Sequence, residues 1–119
     1  MNLQRIYTFM LTADLRAAET WYAKLLGRGP DTRPMDTLVQ WELGDQGGVG
    51  LSTSGEIAGR GAMFLIVDDV AAERRRLRGL GIDLGDDING DYSTLAQIRD
   101  PDGNLVTLAT PPSRPYPAA

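Results

Sequence analysis

Two kinds of hydrophobic pattern alternate along this chain, and their order repeats. Arg5–Thr12 (RIYTFMLT) is dense in aromatic and branched residues, as a strand is. From Leu15 the apolar positions change to helical spacing: Leu15, Ala18, Tyr22, Leu25 and Leu26, with Trp21 beside them. Asp14 stands where an N-cap belongs, and Gly27 where a left-handed C-terminal stop belongs. Gly29–Asp36 reads as a loop, Thr37–Leu43 as a strand, Gly44–Gly48 as a hairpin turn and Val49–Thr53 as the return strand. Ser54–Gly61 reads as a linker.

The second half follows the same plan. Ala62–Val67 predicts a strand, and Asp68 or Asp69 caps a helix that runs to about Leu80 and stops at Gly79 and Gly81. Ile82–Leu84 predicts a short strand and Gly85–Asp91 a loop. Tyr92–Arg99 and Leu105–Ala109 are strands joined by the tight turn Asp100–Asn104 (DPDGN). Pro111–Ala119 is a proline-rich tail expected to lack fixed structure. TFMLTADLRAAE (Thr8–Glu19) and MFLIVDDVAAE (Met63–Glu73) match locally, at a period of about 55 residues. Each half therefore reads strand–helix–strand–strand–strand.

In this order and spacing the chain resembles the vicinal oxygen chelate superfamily, which includes glyoxalases, extradiol dioxygenases and fosfomycin- and bleomycin-resistance proteins. The residues that carry the resemblance are the strand into Asp14–Leu15, WYAKLLG (Trp21–Gly27), MFLIVDDV (Met63–Val70) and above all RDPDGNLVTL (Arg99–Leu108). It spans Gln4 to Thr110. It implies an α+β fold: two βαβββ modules whose curved mixed sheets enclose a cavity, with the helices outside. Residues 1–119 would form one domain, with module one at about 4–54, module two at about 61–110 and a tail at 111–119. The fold alone does not specify an activity.

Metal-using members of the superfamily hold their ion with four inward side chains, two per module. Carried over by the resemblance, those positions are Tyr7, Gly50, Ala62 and Thr107. None is an ordinary ligand for a divalent transition metal. The composition agrees, because the chain of 119 residues has no histidine and no cysteine. That removes the commonest metal ligand and general base, and every thiol nucleophile. We therefore expect no metal and no cofactor, and assign no catalytic residue.

Strand alternation places Tyr7, Phe9 and Leu11 on the face of the first ligand position, and Ala62, Phe64 and Ile66 on the corresponding face of the second module. Leu105, Thr107 and Ala109 point the same way from the last strand. The expected ligand-binding set is Tyr7, Phe9, Trp41, Gly50, Ala62, Phe64, Tyr92 and Thr107. Trp41 shares parity with Val39 and Leu43, whereas Gln40 and Glu42 point oppositely. Either face of that strand can line the cavity, and Glu42 is the best candidate base if its side does. Tyr92, at the end of a loop, is a candidate lid. Asp86, Asp87, Asn89 and Asp91 lack EF-hand spacing and read as a turn.

The expected function is metal-independent binding of a small hydrophobic or aromatic molecule, with sequestration of an antibiotic of the bleomycin-resistance type as the form the resemblance implies. The alternative is a metal-free isomerase, cyclase or lyase acting on a natural-product or metabolic intermediate. The net charge of −4 argues against nucleic acid and anionic membranes. Arg74, Arg75, Arg76 and Arg78 read as a solvated helix face. The apolar Ile6–Ala13 runs into a helix pattern rather than a cleavage site, and no run approaches a membrane span. A cytoplasmic homodimer is expected, the dimer by resemblance.

Overall fold

The described structure, a computed structural model, covers every residue except Leu3, Gly55 and Ala119; Gly55 falls in the stretch read as a linker and Ala119 in the tail. Among the described residues are two helices and eight strands, in two four-stranded mixed sheets. They group into two compact units, Met1–Gly61 with Asp100–Asn104, and Ala62–Arg99 with Leu105–Ala119. Among the described residues no helix is long and apolar enough to cross a membrane.

Unit 1 contains β1 (Ile6–Thr12), α1 (Leu15–Leu26), β2 (Thr32–Met35), β3 (Leu38–Glu42) and β4 (Gly47–Thr53). The sheet order is β1-β4-β3-β2, with β1 parallel to β4 and the other pairs antiparallel. Asp14 caps α1 by accepting from the Ala17 amide at 3.1 Å. Gly27 closes it at φ 82°, donating to the Ala23 carbonyl. Ala18, Tyr22 and Leu25 bury one stripe of α1, and Met10, Val39, Trp41, Val49 and Leu51 form the buried layer of the sheet. Unit 2 repeats the order: β5 (Ala62–Ile66), α2 (Val70–Gly79), β6 (Ile88–Asn89), β7 (Thr94–Arg99) and β8 (Leu105–Ala109), as a sheet β5-β8-β7-β6. Asp69 is the α2 cap, accepting from Ala72. Arg74 pairs with Asp87 and Arg76 with Glu73, as a solvated helix face does.

Three expectations need correction. β2 lies inside Gly29–Asp36, which reads as a loop. All four of its residues are exposed, so it carries no alternating pattern, and Pro34 is tolerated because the strand is outermost in the sheet. Ile82–Leu84 is not a strand. Ile82 and Leu84 are buried, but the Ile82 amide turns back to the Leu77 carbonyl and closes the helix; the strand forms later, at Ile88–Asn89. The tail is not left without contacts either. Ser113 donates its amide to the Tyr92 carbonyl at 2.8 Å, and the Tyr116 ring packs against Tyr92.

The Asp100–Asn104 turn completes the interior of unit 1. The buried Asp100 carboxylate accepts from the Tyr22 hydroxyl at 2.8 Å, the Asn104 side-chain amide at 2.8 Å and the backbone amides of Asn104 and Asp102. Asn104 also donates to the Leu11 carbonyl and accepts from the Gly61 amide. Burial first, then the charge of Asp100, pushes the Tyr22 phenol far above its ordinary value. The folded state thus keeps a proton that the unfolded chain releases near pH 10. Tyr22 supports stability fully below about pH 10 and progressively less above it. Urea unfolding at about pH 9 and pH 11 is expected to show a steeper alkaline loss for the wild type than for Tyr22→Phe. Equal losses would refute this.

Candidate functional site

The strand registers build the candidate site row by row. In unit 1, pairing aligns Phe9, Gly50 and Gln40 in one row across the sheet, and Tyr7, Gly48 and Glu42 in the next. In unit 2 the same places hold Phe64, Thr107 and Gln97, and then Ala62, Leu105 and Arg99. The alternate residues form the buried layers, so these rows occupy the opposite face of each sheet.

That face leaves aromatic rings open. Phe9 is 40% exposed and Phe64 is 55% exposed, with Ile66 at 54% beside it. Phe9 lies over Gly50, where a Cβ would overlap its ring. Glycine at 50 is therefore the seat of Phe9. In unit 2 the corresponding place is filled by Thr107, whose buried hydroxyl accepts from Gln97 Nε2 at 3.1 Å.

The polar group of the unit 1 face is Glu42. Tyr7 donates to its carboxylate at 2.7 Å, and Arg5 forms an ion pair with it. Arg5 also donates to the Tyr7 oxygen at 3.0 Å and to the Asp45 carbonyl at 2.8 Å. Just behind, the Glu42 amide and then Arg28 hold the Asp31 carboxyl below the usual carboxylate range. This fixes the end of β3 and with it the Glu42 backbone.

Of the expected ligand-binding residues, Tyr7, Phe9 and Gly50 share the open face of unit 1, and Ala62, Phe64 and Thr107 that of unit 2. Tyr92 lines a cavity of unit 2 with Phe64. Trp41 is the correction. It is fully buried on the helix side, its ring centroid 6.5 Å from that of Tyr22 and its indole N–H donating to the Arg28 carbonyl at 2.8 Å. Parity with the buried Val39 decides this, so Gln40 and Glu42 take the open face. Arg5, Gln97 and Tyr116 were not anticipated. Gln97 becomes visible only once the register sets it level with Thr107.

The four positions suggested for metal ligands do not fit a transition metal. Gly50 and Ala62 offer no donor, Tyr7 is committed to Glu42, and Thr107 is committed to Gln97. Among the described residues no group of three or more His, Cys, Asp or Glu side chains is placed to hold a metal ion.

A family model described as a glyoxalase-like domain matches residues 7–109. No curated protein matches the chain. Among solved structures, a glyoxalase/bleomycin resistance protein from Catenulispora acidiphila is 25% identical, with a TM-score of 0.82 over 91% of this chain and 98% of that one. A lactoylglutathione lyase from Agrobacterium tumefaciens is 24% identical, with a TM-score of 0.73 over 88% of this chain and 91% of that one. A bleomycin-binding protein complexed with bleomycin is 20% identical, with a TM-score of 0.73 over 89% and 97%. The last two are likenesses of fold alone.

Proposed function

The chain belongs to the glyoxalase-like family, and on that footing we propose that it binds a small hydrophobic or aromatic molecule without a protein-held metal, as in antibiotic sequestration. The observation that carries this is the pairing of open aromatic rings, Phe9 and Phe64, with ligand positions that supply no metal donors. Large apolar rings left in water suit a planar partner, at about 0.5–1.5 kcal/mol per stacked pair beyond burial. The likeness to a bleomycin-binding protein supports the class of ligand. The protein acts as a cytoplasmic homodimer, and light scattering is expected to give twice the chain mass; a concentration-independent monomer would overturn the dimer.

A second reading, a metal-free isomerase, cyclase or lyase, draws on the Tyr7–Glu42 hydrogen bond and the likeness to a lyase. A carboxylate on an open apolar face is placed to move a proton. The ion pair with Arg5 weighs against it, since the carboxylate is already engaged by a partner of this chain.

The test is a calorimetric screen, with chelator present, against planar antibiotics and polyketide-like aromatics including bleomycin. Mass spectrometry of each recovered ligand follows. Calorimetry is preferred to tryptophan fluorescence because Trp41 is buried on the helix side and Trp21 is carried by α1. The expected result is stoichiometric saturation with the ligand recovered unchanged. Phe9→Ala should weaken binding by about threefold to tenfold. A converted ligand would favour the enzyme, and Glu42→Gln should then abolish conversion. A panel without a single hit would sink the binding reading.

A further inference from the structure

The tail of unit 2 builds a cavity. After β8 the chain continues along the start of β7 and the residues before it: the Thr110 amide donates to the Thr94 carbonyl at 3.0 Å, the Thr94 amide donates to the Thr110 hydroxyl at 2.9 Å, and Ser113 donates to the Tyr92 carbonyl. These bonds carry Tyr116 onto Tyr92, with ring centroids 5.0 Å apart and planes tilted by 59°. Two rings at that angle form a corner, and Phe64 and Leu95 contribute further apolar walls. The cavity they line measures about 170 Å³, and Asp91 borders it.

Three aromatic rings around a small cavity with a carboxylate at its rim are suited to a cation. Ring faces are negative, and a desolvated alkylammonium gains from them what a neutral group of equal size does not. Tyr92 already displays this attraction, because the Arg114 guanidinium lies over its ring at 4.8 Å. Arg114 is not among the cavity's lining residues, so the cavity remains available to a second cation. The size suits one small head group rather than a whole drug-sized ligand.

We propose that this aromatic corner is a subsite for an alkylammonium group, quaternary or protonated tertiary amine, carried by the small-molecule ligand. The proposal rests on the binding function above, since Phe64 and Tyr92 belong to both. It adds a charge requirement and gives the tail a role.

Choline and its uncharged carbon isostere dimethylbutanol separate charge from shape. Titrations of the 119-residue chain, followed by calorimetry and by the tyrosine ring signals in NMR, are expected to show choline binding about tenfold more tightly than the isostere. Tyr116→Leu, which keeps an apolar wall but removes the ring, should weaken choline about fivefold and leave the isostere unchanged. Asp91→Asn should weaken choline alone. Phe64→Leu serves as the second ring variant if Tyr116→Leu is poorly folded. Equal binding of the two probes, no binding of choline, or indifference to both ring variants would overturn the subsite. Co-sedimentation with phosphatidylcholine vesicles would assign the ammonium to a lipid head group and overturn a free ligand as its carrier. Choline selectivity without a hit in the aromatic panel would sink the binding function and leave the subsite. Aromatic hits that ignore the ammonium would do the reverse.

Discussion

Asp100→Ala is expected to lower the unfolding free energy by about 3–5 kcal/mol, because it removes the shared acceptor of several buried donors. The carboxylate accepts four hydrogen bonds, from Tyr22, from the Asn104 side chain, and from the amides of Asn104 and Asp102. Tyr22 and Asn104 are fully buried, so water does not simply replace the lost acceptor. Each buried donor left unpaired costs about 1–3 kcal/mol, and the half-exposed Asp102 amide costs least. The nearby Asp102→Ala is the control. That side chain accepts one bond, from the exposed Ala13 amide at 2.9 Å, and its loss should cost about 1 kcal/mol. Urea unfolding of the two variants measures the difference. A cost for Asp100→Ala no larger than that of Asp102→Ala would show that the network contributes little.

The second large effect concerns Trp41. Trp41→Ala removes the largest fully buried side chain in the protein and is expected to cost about 3–5 kcal/mol. It takes away the ring beside Tyr22 and leaves the Arg28 carbonyl without its indole donor. Trp41→Phe should cost less, retaining most of the packing. The same variant also separates a packing role from a ligand-contacting one. With the fold intact, Trp41→Phe should bind any ligand from the screen as the wild type does, whereas Phe9→Ala should not. The opposite outcome, full stability with lost binding, would reverse the assignment of the two faces of β3.

Much of this was legible in the chain. The caps Asp14 and Asp69 announce their helices because a short acceptor before an apolar helical stripe has few other uses. The strands β1 and β5 declare themselves by branched and aromatic residues, β7 and β8 by the apolar runs either side of the DPDGN turn, and β4 by the turn signal before it. β2 and β6 do not, since an exposed four-residue edge and a two-residue strand have no apolar period to read. The parity of β3 was undecidable locally: Val39 and Trp41 suit one face, while Gln40 and Glu42 suit either a wet surface or a polar patch in a cavity. Only the helix stripe led by Tyr22 settles which side is dry. The DPDGN turn was recognisable as a turn, but its acceptor role was not, because Tyr22 lies 78 residues away. The Tyr7–Glu42 contact was hidden in the same way, since β4 stands between their strands.

Because Asp100–Asn104 belongs to unit 1 yet follows β7 of unit 2, unit 1 is not a contiguous stretch of chain. As synthesis proceeds, residues 1–61 emerge with the Tyr22 hydroxyl still lacking its acceptor, and that acceptor arrives only after β5 to β7 of unit 2 have been made. An amino-terminal half released early by truncation or cleavage would carry an incomplete interior. Domains that fold as units usually do so in order of synthesis. Here the earlier-made part of unit 1 is finished only by residues that follow β7 of unit 2, which ties its maturation to synthesis of the other unit.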